Sequence, residues 1–303
     1  MRNDEIVQKL REITKNGNIS LSSSISFQIK DEILFIELSD EGVCANMQAN
    51  ESAFEGWALC LKACLPDLIK KVSISWDPLS EKKEELHYKR FLYRVWKFAE
   101  TYKEWVENGT LYSFDYCKES TEKWIINFPC NDASVDVESD EAILERDYIT
   151  NHIEYDVINQ QLPVGVFDGS ISKKNSIMPR GKSQIDIWAL KNDTLYIFEL
   201  KKDSNKMVGI ISELMYYVNI MNDVKNGRIN YPQEASKSKY RDFDKLYSAF
   251  LNGTIKHIEG VFLTDELHPL ILHDVINLIN LMNDSYQLRT EDHISYSYKP
   301  YSE

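Results

Sequence analysis

Two short apolar segments joined by a polar pair constrain the fold of this chain most strongly. Residues 185–190 and 195–200 are rich in β-branched and aromatic side chains, and Asn192-Asp193 lies between them. This pattern predicts a β-hairpin. If Asn192-Asp193 is the whole loop, Asp186 on the first strand lies directly opposite Glu199 on the second. The register of one hairpin therefore determines where two carboxylates are placed.

Carboxylates in opposed positions are unfavourable unless something compensates them. Opposed residues point to the same face of a sheet with Cβ atoms about 5 Å apart, and like charges there are destabilising. Asp186 and Glu199 therefore need a cation between them. Because side chains alternate along a strand, Lys201 lies on the face of Glu199. The strand 195–200 is apolar on both faces, so it is predicted to be buried with its polar residues at the carboxyl end.

The chemistry that fits these residues is metal-assisted hydrolysis of a phosphodiester. Mg²⁺ prefers carboxylate, carbonyl and water oxygens. A bound metal ion makes its water a better nucleophile and neutralises charge on the phosphate. A neighbouring lysine ammonium orients that water or stabilises the transition state. The alternative interpretation is a surface hairpin with ordinary charges.

These residues resemble the PD-(D/E)xK nuclease superfamily, which has the restriction-endonuclease-like fold. The resemblance covers residues 138–303, with Asp186 on one core strand, Glu199-Leu200-Lys201 on the next, and a predicted helix at 207–222 that carries Tyr216 and Tyr217. It implies that Asp186, Glu199 and the carbonyl of Leu200 bind the metal. It also implies that Lys201 positions the attacking water.

The family carries a further glutamate on its first helix, and residues 140–153 are the candidate for that helix. Leu144, Tyr148 and Ile149 form an apolar stripe at helical spacing. Glu145 and Glu141 both precede an apolar residue by three positions. Glu145 is the favoured catalytic residue, because Glu141 lies nearer the helix start, where the helix dipole alone explains an acidic side chain.

The length of 303 residues predicts two domains. Residues 129–140 are polar, acidic and without periodicity, which places the boundary there. The predicted fold class is α/β, with an α+β domain at 1–135 and a nuclease-like domain at 136–303 that has a mixed central sheet flanked by helices. Residues 1–135 show no catalytic constellation. Their predicted role is recognition, regulation or association, with a second copy of the chain or with a partner protein.

Several other elements follow from apolar periodicity and turn residues. In the first domain, Ser52 and Glu55 form a predicted capping box at the start of a helix. The predicted strands are 24–29, 32–38, 72–76, 257–264 and an edge strand at 294–301. The predicted helices are 52–65, 84–107, 207–222 and 268–283, with a loop at 168–184 and a polar region at 225–243.

Charge and cysteine usage narrow the function class. The net charge is −13, which argues against a protein that coats nucleic acid non-specifically. Residues 170–206 nevertheless hold eight basic residues against four acidic ones, as a phosphate-binding groove requires. The five cysteines show no zinc spacing, and no apolar run reaches the length of a membrane span. The expectation is a cytoplasmic protein that does not associate with membranes.

The sequence as a whole predicts a metal-dependent nuclease, an endonuclease that hydrolyses DNA with Mg²⁺ as cofactor and Mn²⁺ as a substitute. Restriction, repair and defence against mobile elements all fit such a site. Two alternatives remain open at this point: a catalytically inactive binding or scaffold protein with the nuclease fold, and the same chemistry on RNA. Nothing in the residues distinguishes DNA from RNA, or internal from terminal cleavage.

Overall fold

A computed structural model describes residues 1–77, 79–107, 121–129, 139–179, 183–202, 207–232 and 239–301. The helices in these segments are α1 (Asn3–Thr14), α2 (Asp40–Cys44), α3 (Phe54–Cys64), α4 (Leu86–Thr101), α5 (Asp140–Asn151), α6 (Gly209–Lys225), α7 (Phe243–Leu251) and α8 (His273–Thr290). The strands are β1 (Ile25–Lys30), β2 (Ile33–Leu38), β3 (Lys71–Trp76), β4 (Trp124–Ile126), β5 (Val157–Pro163), β6 (Val166–Asp168), β7 (Gln184–Lys191), β8 (Thr194–Leu200), β9 (His257–Leu263) and β10 (His293–Lys299).

The chain divides into two compact units, and neither unit is continuous in sequence. The first unit comprises Met1–Asp115, Asn205–Glu213 and Glu266–Tyr286, and the second comprises the rest. This division differs from the predicted boundary at 135/136. Short segments of the second half of the chain, including the start of α6 and most of α8, belong with the N-terminal residues. A polar linker in the sequence does not reveal such long-range packing.

The first unit contains a three-stranded sheet in the order β1-β2-β3, with β1 and β2 antiparallel and β3 parallel to β2. The predicted capping box does not form, because α3 begins at Phe54 and no side chain caps it. Ser52 and Glu55 bind a buried arginine of α4 instead. Arg94 Nε donates to Glu55 Oε1 at 2.8 Å, and its Nη1 donates to Ser52 Oγ at 3.0 Å. A buried guanidinium needs such partners.

The second unit contains a five-stranded mixed sheet in the order β10-β9-β8-β7-β5. Strands β5, β7 and β8 are antiparallel neighbours, whereas β9 is parallel to β8 and β10 is parallel to β9. From α5 to β9, the helices and the strands of this sheet follow in the chain order α5, β5, β7, β8, α6, α7, β9. The parallel step from β8 to β9 therefore spans α6 and α7. The predicted class, a mixed α/β fold, is confirmed at this level.

The predicted hairpin register is confirmed. The pairs of β7 and β8 run from Ile187 opposite Phe198 to Lys191 opposite Thr194, which leaves Asn192 and Asp193 as the loop. Asn192 has a φ of 56°, in the left-handed region that asparagine tolerates better than most residues. Strand β8 lies in the middle of the sheet and is buried on both faces, as its apolar sequence predicted.

Several elements differ from the sequence prediction. Helix α4 ends at Thr101 rather than at 107, and α8 spans His273–Thr290 rather than 268–283. Strand β5 and helices α1 and α7 were not predicted. Strand β5 contains Asn159, Gln160 and Gln161, and it is an edge strand, where polar residues are tolerated.

Within the described segments, no helix has both the length and the apolar character needed to cross a membrane.

Candidate active site

The carboxyl end of β8 holds a buried ion pair. The Glu199 side chain is 1% exposed and the Lys201 side chain 10% exposed, and the Lys201 ammonium pairs with Glu199 Oε1. The Lys201 backbone N–H donates to the carbonyl of Leu263 on β9 at 3.0 Å, which fixes the direction of this side chain. The predicted placement of Glu199 and Lys201 on one face of the strand is therefore confirmed.

Asp186 contacts the backbone of the same segment. The last paired residues of the hairpin are Ile187 and Phe198, so Asp186 lies one position beyond the paired region. There the Leu200 N–H donates to Asp186 Oδ2 at 2.9 Å. An oxygen of the Asp186 side chain thus accepts a hydrogen bond from the main chain of β8. This bond holds the half-buried Asp186 carboxylate beside Glu199-Leu200-Lys201.

Helix α5 brings a third carboxylate to this end of the sheet. The helix is capped by Ser139, whose Oγ accepts a hydrogen bond from the Ala142 N–H at 3.1 Å, and it packs against β5 and β7. Glu145 is 3% exposed, whereas Glu141 is exposed on the first turn. Of the two candidates, Glu145 is therefore the one that points into the protein.

The electrostatics of Glu145 show that it lies near Asp186. Burial, together with the negative charges of Asp186 and Glu141, raises the pKa of Glu145 from its ordinary value of 4.5 to about 8. The Gln161 amide and the Arg241 guanidinium oppose this rise. Within the described part of the chain, Glu145 Oε2 is buried and has no hydrogen-bond partner.

Gln161 and Arg241 are neighbours of the site that the sequence did not indicate as a pair. Gln161 has a φ of 55° and lies on β5 between the pairs Gln160–Ile187 and Leu162–Ile185, opposite Asp186. Arg241 Nη1 donates to Gln161 Oε1 at 2.9 Å. The sequence signals were the three consecutive amides at 159–161 and the basic residue at 241 in the polar region 225–243.

Most basic residues predicted to bracket the site have ordinary surface environments or lie outside the described residues. Lys202 Nζ donates to Asp140 Oδ2 at 3.0 Å at the start of α5, and Lys191 lies over the Tyr155 ring at 5.8 Å. Lys173 and Lys174 are exposed. Arg180, Lys182 and Lys206 lie outside the described residues.

The helix tyrosines are buried. Tyr216 and Tyr217 lie on α6, and each is 1% exposed. The Tyr216 hydroxyl contacts Met178 Sδ at 3.2 Å, within the second unit. Their burial places these two rings in the packing of the helix.

The carboxylate oxygens of Glu145, Asp186 and Glu199 are ligands of the type that a hard divalent cation prefers. Glu145 Oε2 is buried without a partner among the described residues and lies near a second carboxylate, an arrangement that a cation would stabilise. In the segments that the structure describes, no three His, Cys, Asp or Glu side chains converge in a metal-binding group. A cation here would therefore require Glu199 or Asp186 to change partners.

Comparisons with protein-family models, with curated proteins and with solved structures found no match for this chain.

Proposed function

We propose that this chain is a metal-dependent nuclease that hydrolyses phosphodiester bonds of DNA, with Mg²⁺ as its cofactor and Mn²⁺ as a substitute. One observation carries the proposal. The hairpin register brings the Asp186 carboxylate to the backbone of the segment that contains Glu199 and Lys201. This is the constellation that the resemblance to the PD-(D/E)xK superfamily implies, and a mixed sheet flanked by helices supports it.

Four residues would hold the cation. Asp186, Glu199 and the carbonyl of Leu200 are the proposed ligands, and Glu145 completes the site from α5. When bound, Mg²⁺ lowers the pKa of a bound water and neutralises charge on the phosphate. Because burial keeps a proton on Glu145 near neutral pH, loading of the site releases that proton.

Lys201 would act directly on the reacting groups. Its ammonium is held by Glu199 and emerges where β8 ends. An ammonium in this position donates hydrogen bonds to the attacking water or to a phosphate oxygen, and so stabilises the negative charge that develops in the transition state. Glu199 orients the ammonium through their ion pair.

The second candidate is a protein that binds nucleic acid or a partner without cleaving it. The observation that favours it is that both strand carboxylates already have partners from the chain itself. Lys201 pairs with Glu199, and the Leu200 N–H bonds Asp186. A fold stabilised in this way has no need of a metal ion.

The test is hydrolysis of DNA, and of RNA of the same sequence, by the full-length protein with Mg²⁺, with Mn²⁺ and with EDTA. The matched variants are Asp186→Asn and Asp193→Asn, since Asp193 is an exposed aspartate in the turn of the same hairpin. We expect cleavage by the wild type and by Asp193→Asn, and a loss of at least about 100-fold in Asp186→Asn.

Three results would contradict this proposal in distinct ways. Cleavage of neither nucleic acid by the wild type, together with DNA binding, supports the second candidate. Cleavage of RNA alone changes the substrate and keeps the site. Equal rates of hydrolysis by Asp186→Asn and the wild type would show that the proposed metal site takes no part in cleavage.

A further inference from the structure

A strained turn lies beside the proposed site. Arg241 has φ 48° and ψ 36°, and Asp242 has φ 54° and ψ 27°, so two consecutive residues other than glycine adopt the left-handed conformation. Such conformations are uncommon and cost free energy, and they persist where surrounding contacts impose them. The contacts that hold this turn in its conformation therefore point to its role.

Those contacts fasten the turn to the bend of β5. Asn159 Nδ2 donates to Asp242 Oδ2 at 2.8 Å. Arg241 Nη1 donates to Gln161 Oε1 at 2.9 Å and to the carbonyl of Gln160 at 3.4 Å. Gln161 is itself left-handed, and it lies opposite Asp186 in the sheet register. Three left-handed residues thus meet next to the strand that carries Asp186.

The Arg241 side chain in this turn is well suited to bind a phosphate group. A guanidinium stays charged at any physiological pH, and its planar donors match the oxygens of a phosphate. Arg241 is half-buried, and its positive charge partly offsets the rise in the pKa of Glu145. The Arg241 guanidinium is therefore held close to the carboxylates of Glu145 and Asp186. A nucleic acid strand with its scissile phosphate at Asp186 would pass close to this position.

We propose that Arg241 binds a backbone phosphate of the nucleic acid beside the scissile one, and that Gln161 and the bend of β5 hold it there. This inference rests on the proposed function and names a substrate-binding residue for it. The competing explanation is structural: Arg241 merely offsets the negative charge of Glu145. The two explanations differ in how strongly salt weakens DNA binding.

The experiment measures binding of a fluorescent DNA duplex to the full-length protein in EDTA, across a series of KCl concentrations. Each phosphate contact to B-DNA contributes about 0.9 to the slope of log affinity against log salt concentration. We expect Arg241→Ala to reduce that slope by about one contact, and Arg241→Lys to retain the slope with weaker binding. The control is Lys245→Ala, a cation four positions along that pairs with Asp242 at 2.8 Å.

A wild-type slope in Arg241→Ala overturns the inference, as does an equal loss in Lys245→Ala, which would indicate diffuse surface charge. If Arg241→Ala does not fold, Arg241→Gln removes the charge with a similar side-chain length and gives the same comparison. A reduced slope without any hydrolysis in Mg²⁺ would leave the phosphate contact standing and overturn the nuclease proposal. Hydrolysis with an unchanged slope in Arg241→Ala would support the nuclease proposal and overturn the phosphate contact. Absence of DNA binding by the wild type would overturn both proposals.

Discussion

The ion pair of Glu199 and Lys201 links the stability of the second unit to its proposed chemistry. The sequence predicted that Lys201 lies at the carboxyl end of the buried strand 195–200. The structure places both partners in nearly buried positions. Removal of one partner of a buried pair leaves the other charge uncompensated, which costs about 3–5 kcal/mol.

We therefore predict that Lys201→Ala loses both hydrolysis and stability. The expected loss of rate is about 100-fold or more, and chemical denaturation should show a lower free energy of unfolding. Adding Glu199→Gln to this variant should restore part of the stability and none of the activity. Lys202→Ala is the control, because its side chain is 41% exposed and such pairs contribute about 1 kcal/mol or less. Full activity in Lys201→Ala would contradict the assigned role.

Glu145 predicts a dependence of stability on pH. Its pKa is about 8 in the folded protein and near 4.5 when unfolded, so the folded state binds the extra proton between these values. Stability contributed by protonated Glu145 is therefore lost as the pH rises through this range, by up to about 1.4 kcal/mol per pH unit. Glu145→Gln, which cannot ionise, should become increasingly more stable than the wild type from pH 5 to pH 8.

The control for this comparison is Asp147→Asn, since Asp147 is exposed on the same helix and its charge does not contribute to the shifted pKa of Glu145. Its difference from the wild type should stay flat over the same range of pH. Mn²⁺ should also raise the melting temperature of the wild type more at pH 8 than at pH 6, because the cation competes with the proton on Glu145. A pH-independent gap between Glu145→Gln and the wild type would contradict the burial of this carboxylate beside Asp186.

At the scale of elements, the turn between β7 and β8 sets the register on which the site depends. Asn192 has a φ of 56°, whereas Asp193 is outside the positive-φ region. A β-branched side chain in the left-handed conformation costs about 1–2 kcal/mol. We predict that Asn192→Val lowers the free energy of unfolding by about that amount relative to Asn192→Gly. Asp193→Val, with the same added apolar surface, should have a smaller effect, and equal losses at both positions would contradict the assigned turn.

The hairpin could be predicted from sequence because everything that determines it is local. Two apolar segments and the two-residue polar turn between them specify one register, and that register fixes the positions of Asp186, Glu199 and Lys201. Helix α5 was equally visible, because its apolar stripe has helical spacing. These elements supply the four side chains of the candidate site.

The remaining features depend on contacts between residues far apart in the chain. Ser52 and Glu55 match a capping box, but the buried Arg94 on another helix takes both side chains. Strand β5 is polar because it is an edge strand, which only its neighbours in the sheet reveal. The Arg241 turn is held by Asn159 and Gln161, about 80 residues earlier in the sequence.

The two units are interleaved in sequence, and this changes how a fragment of the chain should behave. The sequence predicted a separate domain at 136–303. In the first unit, however, the Ser212 hydroxyl donates to Glu55 at 2.8 Å, and Val208 packs against Gly56. A fragment that begins at 136 lacks the N-terminal residues that belong to the same unit as 207–213 and 266–286.

We predict that the 136–303 fragment melts at a lower temperature than the full chain and binds a dye for exposed apolar surface. Circular dichroism and dye fluorescence measure both properties. Co-expression with residues 1–135 should restore a soluble complex. A fragment with the melting temperature of the full chain and no dye binding would show that the second unit is independent of the N-terminal residues.

Diffraction from crystals soaked in Mn²⁺ tests most directly whether Asp186 and Glu199 share a divalent cation. Mn²⁺ suits carboxylate and carbonyl oxygens, and its anomalous signal locates it without ambiguity. We predict one peak at about 2.0–2.2 Å from oxygens of Asp186, Glu199 and the Leu200 carbonyl, with Lys201 displaced from Glu199 toward the bound water. Crystals that diffract well at saturating Mn²⁺ and retain the Glu199–Lys201 pair, with no peak between the two carboxylates, would contradict it.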